Sequence, residues 1–277
     1  MQITPAQLTQ YRTAGYVHLK AVYTPEEIAR ARQLIDADLE SGEWHRAPTA
    51  SDDITTDIYE RIPELAAIVF NDNYVNAMRE LFAPEPVIIA EPAVHRSRYF
   101  YWHKDSTFID ELGEDYHWQD DFAAAMTVMY LQPNHPTYGG GISLVPGTQR
   151  DPDFYHTIKD MSLPARALLK AKKIAGVSHF DKLDKHPDLT PIPTEEGDVL
   201  VMDMRLDHKG TPAKKPAPVT KYGIMNIACS GHETARRLQR TLRNRPGKYY
   251  QEYLSREPEA TPVLLEYEGK TGVKFIL

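Results

Sequence analysis

Hydrophobic residues recur at helical spacing in the first third of the chain and at strand spacing beyond it. Residues 4–7 and 24–27 each form a helix start, with Thr as N-cap, Pro at the first helical position, and Gln or Glu at the third. Between them, the apolar run 16–19 predicts a short strand. The first 85 residues are therefore expected to be mainly helical. Helical spacing predicts helices from residue 25 to Gly42 and over residues 63–70 and 73–82.

From residue 86 onward the pattern changes to short strands separated by turn signals. Three glycines at 139–141 precede neither a helix start nor a Lys-Ser/Thr step, which favours a tight turn or close backbone approach over a phosphate-binding loop. Residues 163–175 interrupt the strands as a helical or loop-like insertion. Strands are predicted over residues 87–90, 94–102, 123–131, 142–145, 199–204, 221–229 and 273–277.

Helices followed by many short strands predict a mainly β fold with flanking helices, whose core is a double-stranded β-helix, or jelly roll. We expect a single domain over residues 1–277, because no shift in composition marks a linker. A helical wrapping takes about residues 1–85, the jelly-roll core about 86–230 and a C-terminal extension about 231–277. The polar stretch 44–56 leaves two interpretations open, a surface loop or a flap over a pocket.

Composition narrows the classes of function without selecting one. The formal net charge of −7 argues against a general nucleic-acid binder, because such proteins are usually basic. The lone cysteine, Cys229, excludes an intrachain disulfide and fits a reducing compartment. No apolar N-terminal segment and no stretch of about 20 apolar residues is present. We therefore expect a cytoplasmic protein with a small-molecule substrate and with neither nucleic-acid nor membrane partners.

The chemistry with the clearest pattern is a His-x-Asp step, His103 and Asp105, at the end of a predicted strand. Residues two apart on a strand point to the same side, so one imidazole and one carboxylate lie together. A second histidine, His208, follows the strand at 199–204. Two histidines and one carboxylate form the facial triad that holds non-haem Fe(II) and leaves positions open. These three residues are the predicted metal ligands and catalytic residues.

Two further His-x-Asp steps begin at His179 and His186. Both lie in a polar stretch between predicted strands, and Pro187 stands at the centre of the second. Either would have to reach His208 across fewer than roughly 30 residues, which leaves little sheet to hold the ligands. We interpret both as loop residues.

A triad of this kind usually needs a 2-oxo acid co-substrate, whose far carboxylate needs a cation in a dry pocket. Lys221, at the start of the strand after His208, is placed to supply it; a surface lysine at a strand end is the equally weighted alternative. Lys214 and Lys215 are flanked by prolines and are interpreted as loop residues. If none of the three lysines serves, Arg150 and Arg205 are next. The sequence therefore leaves open which of these cations binds the far carboxylate.

Three segments, residues 103–105, 139–150 and 197–208, resemble the phytanoyl-CoA dioxygenase family of Fe(II)/2-oxoglutarate oxygenases. The resemblance runs over about residues 5–230 in the same order and implies Fe(II), 2-oxoglutarate and O2 as cofactor and co-substrates. It also implies that Phe100 packs near 2-oxoglutarate. Two departures concern the co-substrate: the family usually carries Arg where Lys221 stands, and Ser-His where Thr148-Gln149 stands, so that a hydroxyl is retained for cofactor binding at Thr148.

The resemblance implies hydroxylation of an unactivated C–H bond in a small molecule, with decarboxylation of 2-oxoglutarate to succinate. Halogenating relatives replace the carboxylate ligand by a small residue, and Asp105 is intact, so halogenation is not expected. Desaturation, epimerisation or ring formation by the same chemistry stays open, because the substrate's pose decides between them. A non-catalytic, cupin-like metal-binding module is the alternative from another class. The basic segment 236–245 is interpreted as a solvated helix face.

Overall fold

A computed structural model describes residues 1–41, 45–46, 53–55, 58–96, 101–153, 161–174, 181–244 and 262–276. Among the described residues, five helices precede the main run of strands; four were predicted from the sequence, and the short helix Ile58–Arg61 was not. The helices are α1 (Pro5–Ala14), α2 (Pro25–Glu40), α3 (Ile58–Arg61), α4 (Pro63–Val69), α5 (Asp72–Leu81), α6 (Thr107–Glu111), α7 (Leu163–Ile174), α8 (Asp181–Asp184), α9 (His232–Arg243) and α10 (Pro262–Thr271).

The strands form two sheets. They are β1 (Tyr16–Leu19), β2 (His45–Arg46), β3 (Asp53–Thr55), β4 (Pro86–Arg96), β5 (Ala124–Tyr130), β6 (Ile142–Leu144), β7 (Thr190–Ile192), β8 (Val199–Asp203), β9 (His208–Gly210), β10 (Tyr222–Ser230) and β11 (Lys274–Ile276). An eight-stranded sheet has the order β1-β8-β5-β10-β4-β3-β2, and β11 pairs in parallel with β4. A three-stranded sheet has the order β7-β6-β9.

Both faces of the large sheet contribute residues to hydrophobic clusters. Directly paired residues point to the same side of a sheet, so the pair Thr127 and Val201 belongs to one face and the pair Val128 and Leu200 to the other. The first face packs against the aromatic residues of α3 to α5. The second faces the small sheet, where Leu144 and Ile192 join the same hydrophobic cluster as Val128 and Leu200. Two facing sheets with a helical cover confirm the predicted jelly roll with flanking helices.

Both predicted helix starts are present as complete capping boxes. The Thr4 hydroxyl accepts from the backbone N–H of Gln7, whose side chain accepts from the backbone N–H of Thr4. Thr24 and Glu27 repeat the arrangement at the start of α2. Each box satisfies two N–H groups that a helix start otherwise leaves unpaired.

The three glycines form the tight turn that their spacing favours. Gly139, Gly140 and Gly141 all have left-handed backbone angles, with φ of 64°, 70° and 64°. A Cβ atom at Gly139 would lie 2.5 Å from the backbone nitrogen of Ala213, so this position also requires glycine for space. The turn brings the loop before β6 against the loop before β10.

Two local predictions differ from the structure. A single strand, β4, replaces the two strands expected at 87–90 and 94–102, and residues 97–100 lie outside the described residues. Within the stretch 44–56, β2 pairs with β3, and β3 pairs with β4. Strands this short carry no detectable alternation, which is why the sequence pattern missed them.

The predicted wrapping contributes β1, β2 and β3 to the large sheet, and the predicted extension contributes β11. Strand β1 pairs with β8 from Tyr16 to Leu19, and β11 pairs with β4. None of the helices among the described residues has the length and apolar character needed to cross a membrane.

Candidate metal centre

The chain brings His103 and His208 together through an antiparallel backbone bridge. The N–H of His103 donates to the carbonyl of His208 at 3.0 Å, and the reverse bond is 3.1 Å long. The ammonium of the buried Lys104, between His103 and Asp105, donates to the carbonyls of Thr148 and Arg205 at 2.7 and 2.6 Å. Backbone and lysine together fix the turn that carries Asp105 against the strand that carries His208.

The three predicted ligands converge on one point. His103 Nε2 lies 3.6 Å from Asp105 Oδ1, and His208 Nε2 lies 3.7 Å from Asp105 Oδ2. One ligand atom from each of the three residues lies within 4.8 Å of the other two. Each Nδ1 faces a backbone carbonyl, that of Tyr101 at 2.6 Å and that of Leu206 at 3.0 Å. Carbonyls accept only, so the Nδ1 atoms carry the protons and the Nε2 lone pairs face the carboxylate.

Burial keeps the deeper imidazole neutral. Desolvation lowers the pKa of His208 to about 4, although the negative charge of Asp105 acts in the opposite direction. A metal ligand must be an unprotonated imidazole, and His208 is unprotonated at neutral pH. Two imidazole nitrogens and one carboxylate are the donor set of a non-haem Fe(II) site. The residues present therefore fit the iron that the sequence resemblance implies.

Among the described residues, the rival His-x-Asp step at His186 does not join a cluster of this kind. The ring of His186 lies 3.9 Å from the carboxylate of Asp188, which is 73% exposed. His179 lies outside the described residues. Across the described part of the chain, His103, Asp105 and His208 are the group of three or more possible ligands close enough to hold one ion.

Lys221 is built into the glycine turn. Its ammonium donates to the carbonyls of Tyr138 and Gly139, and a Cβ atom at Gly140 would lie 2.8 Å from Lys221 Nζ. Burial lowers its pKa below the usual range for lysine. Lys214 and Lys215, by contrast, are exposed. Lys221 is therefore a half-buried, positioned cation, but its contact with a co-substrate stays a prediction.

The structure places Thr148 and Arg205, two of the other candidate residues for contact with the co-substrate. The buried hydroxyl of Thr148 donates to the carbonyl of Val145 at 2.8 Å and accepts from the backbone N–H of Asp207 at 3.0 Å, so it braces the chain before His208. Its contact with the co-substrate stays a prediction. Phe100 lies outside the described residues. Arg205 forms a fork with Asp203 at 2.9 and 2.7 Å.

A half-buried surface between the two sheets went unnoticed in the sequence. Gly223 and Met225 share the strand face of Lys221, and their cross-strand partners are Tyr130 and Val128. Gly223, Met225 and Met126 on the neighbouring strand are all partly exposed, although the opposite face of this sheet is covered by helices. His208 lies on the facing sheet, paired with Leu144, whose side chain joins the same inner cluster. The alternation Lys221, Gly223, Met225 was the available signal.

Known structures show the same fold. HygX from Streptomyces hygroscopicus, with nickel and 2-oxoglutarate bound, is 15% identical, with a TM-score of 0.61 over 84% of this chain and 89% of that chain. The carbocyclase SnoK from nogalamycin biosynthesis, described as alpha ketoglutarate dependent, is 15% identical, with a TM-score of 0.60 over 82% and 84%. The epimerase SnoN from the same biosynthesis is 15% identical, with a TM-score of 0.57 over 81% and 82%.

Sequence comparison gives the family. A search of curated protein sequences found no significant match. The sequence model of phytanoyl-CoA dioxygenase matches residues 11–217, which include the His-x-Asp step, the glycine turn and His208. The chain therefore belongs to the phytanoyl-CoA dioxygenase family, as its three motif segments predicted.

Proposed function

We propose that this chain is an Fe(II)/2-oxoglutarate-dependent oxygenase that hydroxylates a C–H bond of a small molecule. The observation that carries the proposal is the convergence of two imidazole nitrogens and one carboxylate on one point, with each Nδ1 turned to a backbone carbonyl. His103, Asp105 and His208 would hold the iron. Bound iron supplies the oxidising chemistry, with O2 as oxidant and 2-oxoglutarate as the reductant that is converted to succinate and CO2.

The chain's own residues supply geometry and polarity. The carbonyls of Tyr101 and Leu206 keep the two imidazoles turned with Nε2 towards Asp105. Lys221 would pair with the far carboxylate of 2-oxoglutarate, because an ammonium has three N–H donors and two of them reach carbonyls of the described residues. Met126, Gly223 and Met225 would form the apolar wall that keeps water away from the reacting C–H bond.

Epimerisation or ring formation is a second candidate outcome. The solved structures with this fold include a carbocyclase and an epimerase, so the fold accommodates both. A cupin-like binding module without turnover is less favoured, because such a module has no need of a positioned cation at Lys221.

Succinate formation tests the proposal. Purified protein with Fe(II), ascorbate and 2-oxoglutarate should release succinate, as uncoupled turnover, and His103→Ala or His208→Ala should abolish both Fe(II) binding and succinate release. His186→Ala is the matched control and should stay within about threefold of wild type, since its side chain lies outside the cluster. Full turnover in either triad variant would exclude the assigned ligands.

A further inference from the structure

Asp184, the last residue of α8, collects three donors from the chain segments that carry the two histidines. Its Oδ1 accepts from the indole Nε1 of Trp102 at 2.9 Å and from the ammonium of Lys209. Its Oδ2 accepts from the hydroxyl of Tyr101 at 3.0 Å. None of these contacts belongs to the family motifs that the sequence presents.

The three donors stand directly beside the candidate ligands. Tyr101 and Trp102 precede His103, and Lys209 follows His208. Side chains alternate along a strand, so Lys209 projects from the side opposite to His208. Asp184 therefore ties the bridge between the two segments from its outer side, while the imidazoles face inward.

The donors Trp102 and Lys209 are shielded from water, whereas the side chain of Asp184 is 32% exposed and Tyr101 is 43% exposed. Trp102 is 3% exposed and the side chain of Lys209 is 11% exposed. The ammonium of Lys209 also lies 4.8 Å from the centre of the Trp102 ring. A charged hydrogen bond that is shielded from solvent is stronger than an exposed surface pair, and a carboxylate with three donors fixes the positions of all three.

We propose that Asp184 is a positioning residue that sets the spacing of His103 and His208 for metal binding. This inference rests on the proposed function only for the presence of a metal. Asp184 lies at the end of the chain segment between β6 and β7 that carries α7 and α8. Helix α8 is thereby coupled to the metal centre, since any displacement of α8 withdraws the acceptor from both chain segments that carry a candidate histidine ligand.

Metal affinity in the absence of turnover tests the inference. The probe is Co(II), titrated anaerobically into metal-free wild type, Asp184→Ala, Asp184→Asn and Asp184→Glu. Asp184→Ala should raise the Co(II) dissociation constant about tenfold or more, the usual loss when a partner that orients a ligand is removed. Asp184→Glu should recover most of the affinity, because it restores the charge and both oxygens. At saturating Co(II), 2-oxoglutarate affinity should stay near wild type in all variants.

Asp188→Asn is the matched control, because Asp188 lies in the same segment and its side chain is 73% exposed. It should leave Co(II) affinity unchanged. If Asp184→Ala does not fold, Asp184→Asn decides, since it keeps the shape and loses the charge. Wild-type affinity in the folded Asp184 variants would overturn the positioning role. Failure of wild type to bind Co(II), or binding that survives in His208→Ala, would instead overturn the proposed metal site.

Discussion

The two candidate histidines differ in their contact with water. The side chain of His208 is 4% exposed, and that of His103 is 29% exposed. Buried imidazoles resist protonation, while exposed ones exchange with solvent. The pair thus combines one buried imidazole with one that is partly exposed to solvent.

The lowered pKa of His208 predicts a pH dependence of stability in the metal-free protein. The unfolded chain takes up a proton near the ordinary histidine pKa of 6.5, whereas the folded chain does so only near 4. The contribution of His208 to the free energy of unfolding is therefore constant above pH 6.5. It decreases as the pH falls from 6.5 to 4, by a total on the order of 3 kcal/mol. Urea unfolding of chelator-treated protein at several pH values measures it. In His208→Gln this part of the slope should disappear, and an unchanged slope would contradict the assignment to His208.

If Lys221 pairs with 2-oxoglutarate, substitutions at Lys221 should lower the affinity for this co-substrate. Lys221→Ala removes a half-buried cation, and we expect a loss of about tenfold to a hundredfold in affinity, or roughly 1.4 to 2.8 kcal/mol. Lys221→Arg should recover part of it, because the charge returns on a longer, planar group. The measurement is the dissociation constant taken anaerobically with Fe(II) present. Lys214→Ala is the control and should change little; a larger loss there than at Lys221 would move the anchor to the loop.

The sequence alone could identify site residues whose type and spacing are typical of a metal site. The His-x-Asp step and its distance from His208 nominated the three residues that the fold brings together. The role of Asp184 could not be predicted from the sequence, because its partners lie about 80 positions before it and 25 positions after it in the chain. Hydrogen bonds of that reach depend on the sheet order, which no local pattern encodes.

At the scale of elements, the glycine turn before β6 both reverses the chain and leaves space for its neighbours. Gly139 allows the backbone of Ala213 to approach, and Gly140 leaves the space that the side chain of Lys221 fills. The sequence predicted the turn from three consecutive glycines, but not its neighbours. Chain reversal is a local property, whereas the occupant of the space beside it is set by distant residues.

Two glycine substitutions separate backbone strain from the lack of space. Gly113 has a φ of 79° with nothing within 4 Å of a Cβ atom, so Gly113→Ala should cost only the left-handed strain, about 1 kcal/mol. Gly139→Ala adds a clash with the Ala213 backbone at 2.5 Å and should cost at least about 2 kcal/mol more. Urea unfolding gives both free energies. Equal costs would mean that the loop at Ala213 yields without penalty.

At the scale of the whole molecule, the large sheet recruits strands from every part of the chain. Strands β1, β2 and β3 come from the predicted wrapping and β11 comes from the predicted extension. The predicted jelly-roll core supplies β4, β5, β8 and β10. Sequence patterns predicted a helical first part and a β second part. They did not predict the strand order, because pairing partners are chosen by packing across the sheet rather than by local periodicity.

This topology leads us to propose that residues 1–277 unfold as one cooperative unit. Loss of β1 would uncover the edge of β8, so the N-terminal part and the core should not melt separately. Urea unfolding should give coincident curves by far-ultraviolet circular dichroism and by tryptophan fluorescence. Two separated transitions would show that the helical part is a domain of its own.

The bridge between His103 and His208 joins positions roughly 100 residues apart, and contacts of such long sequence separation form late in folding. A nascent chain that has emerged only to residue 200 already displays His103 and Asp105 but lacks His208, the second predicted imidazole ligand. A lone His-x-Asp step holds divalent ions poorly. Iron capture should thus report that the fold is complete, and the order of synthesis itself would delay loading of the redox-active ion until the surrounding sheets enclose it.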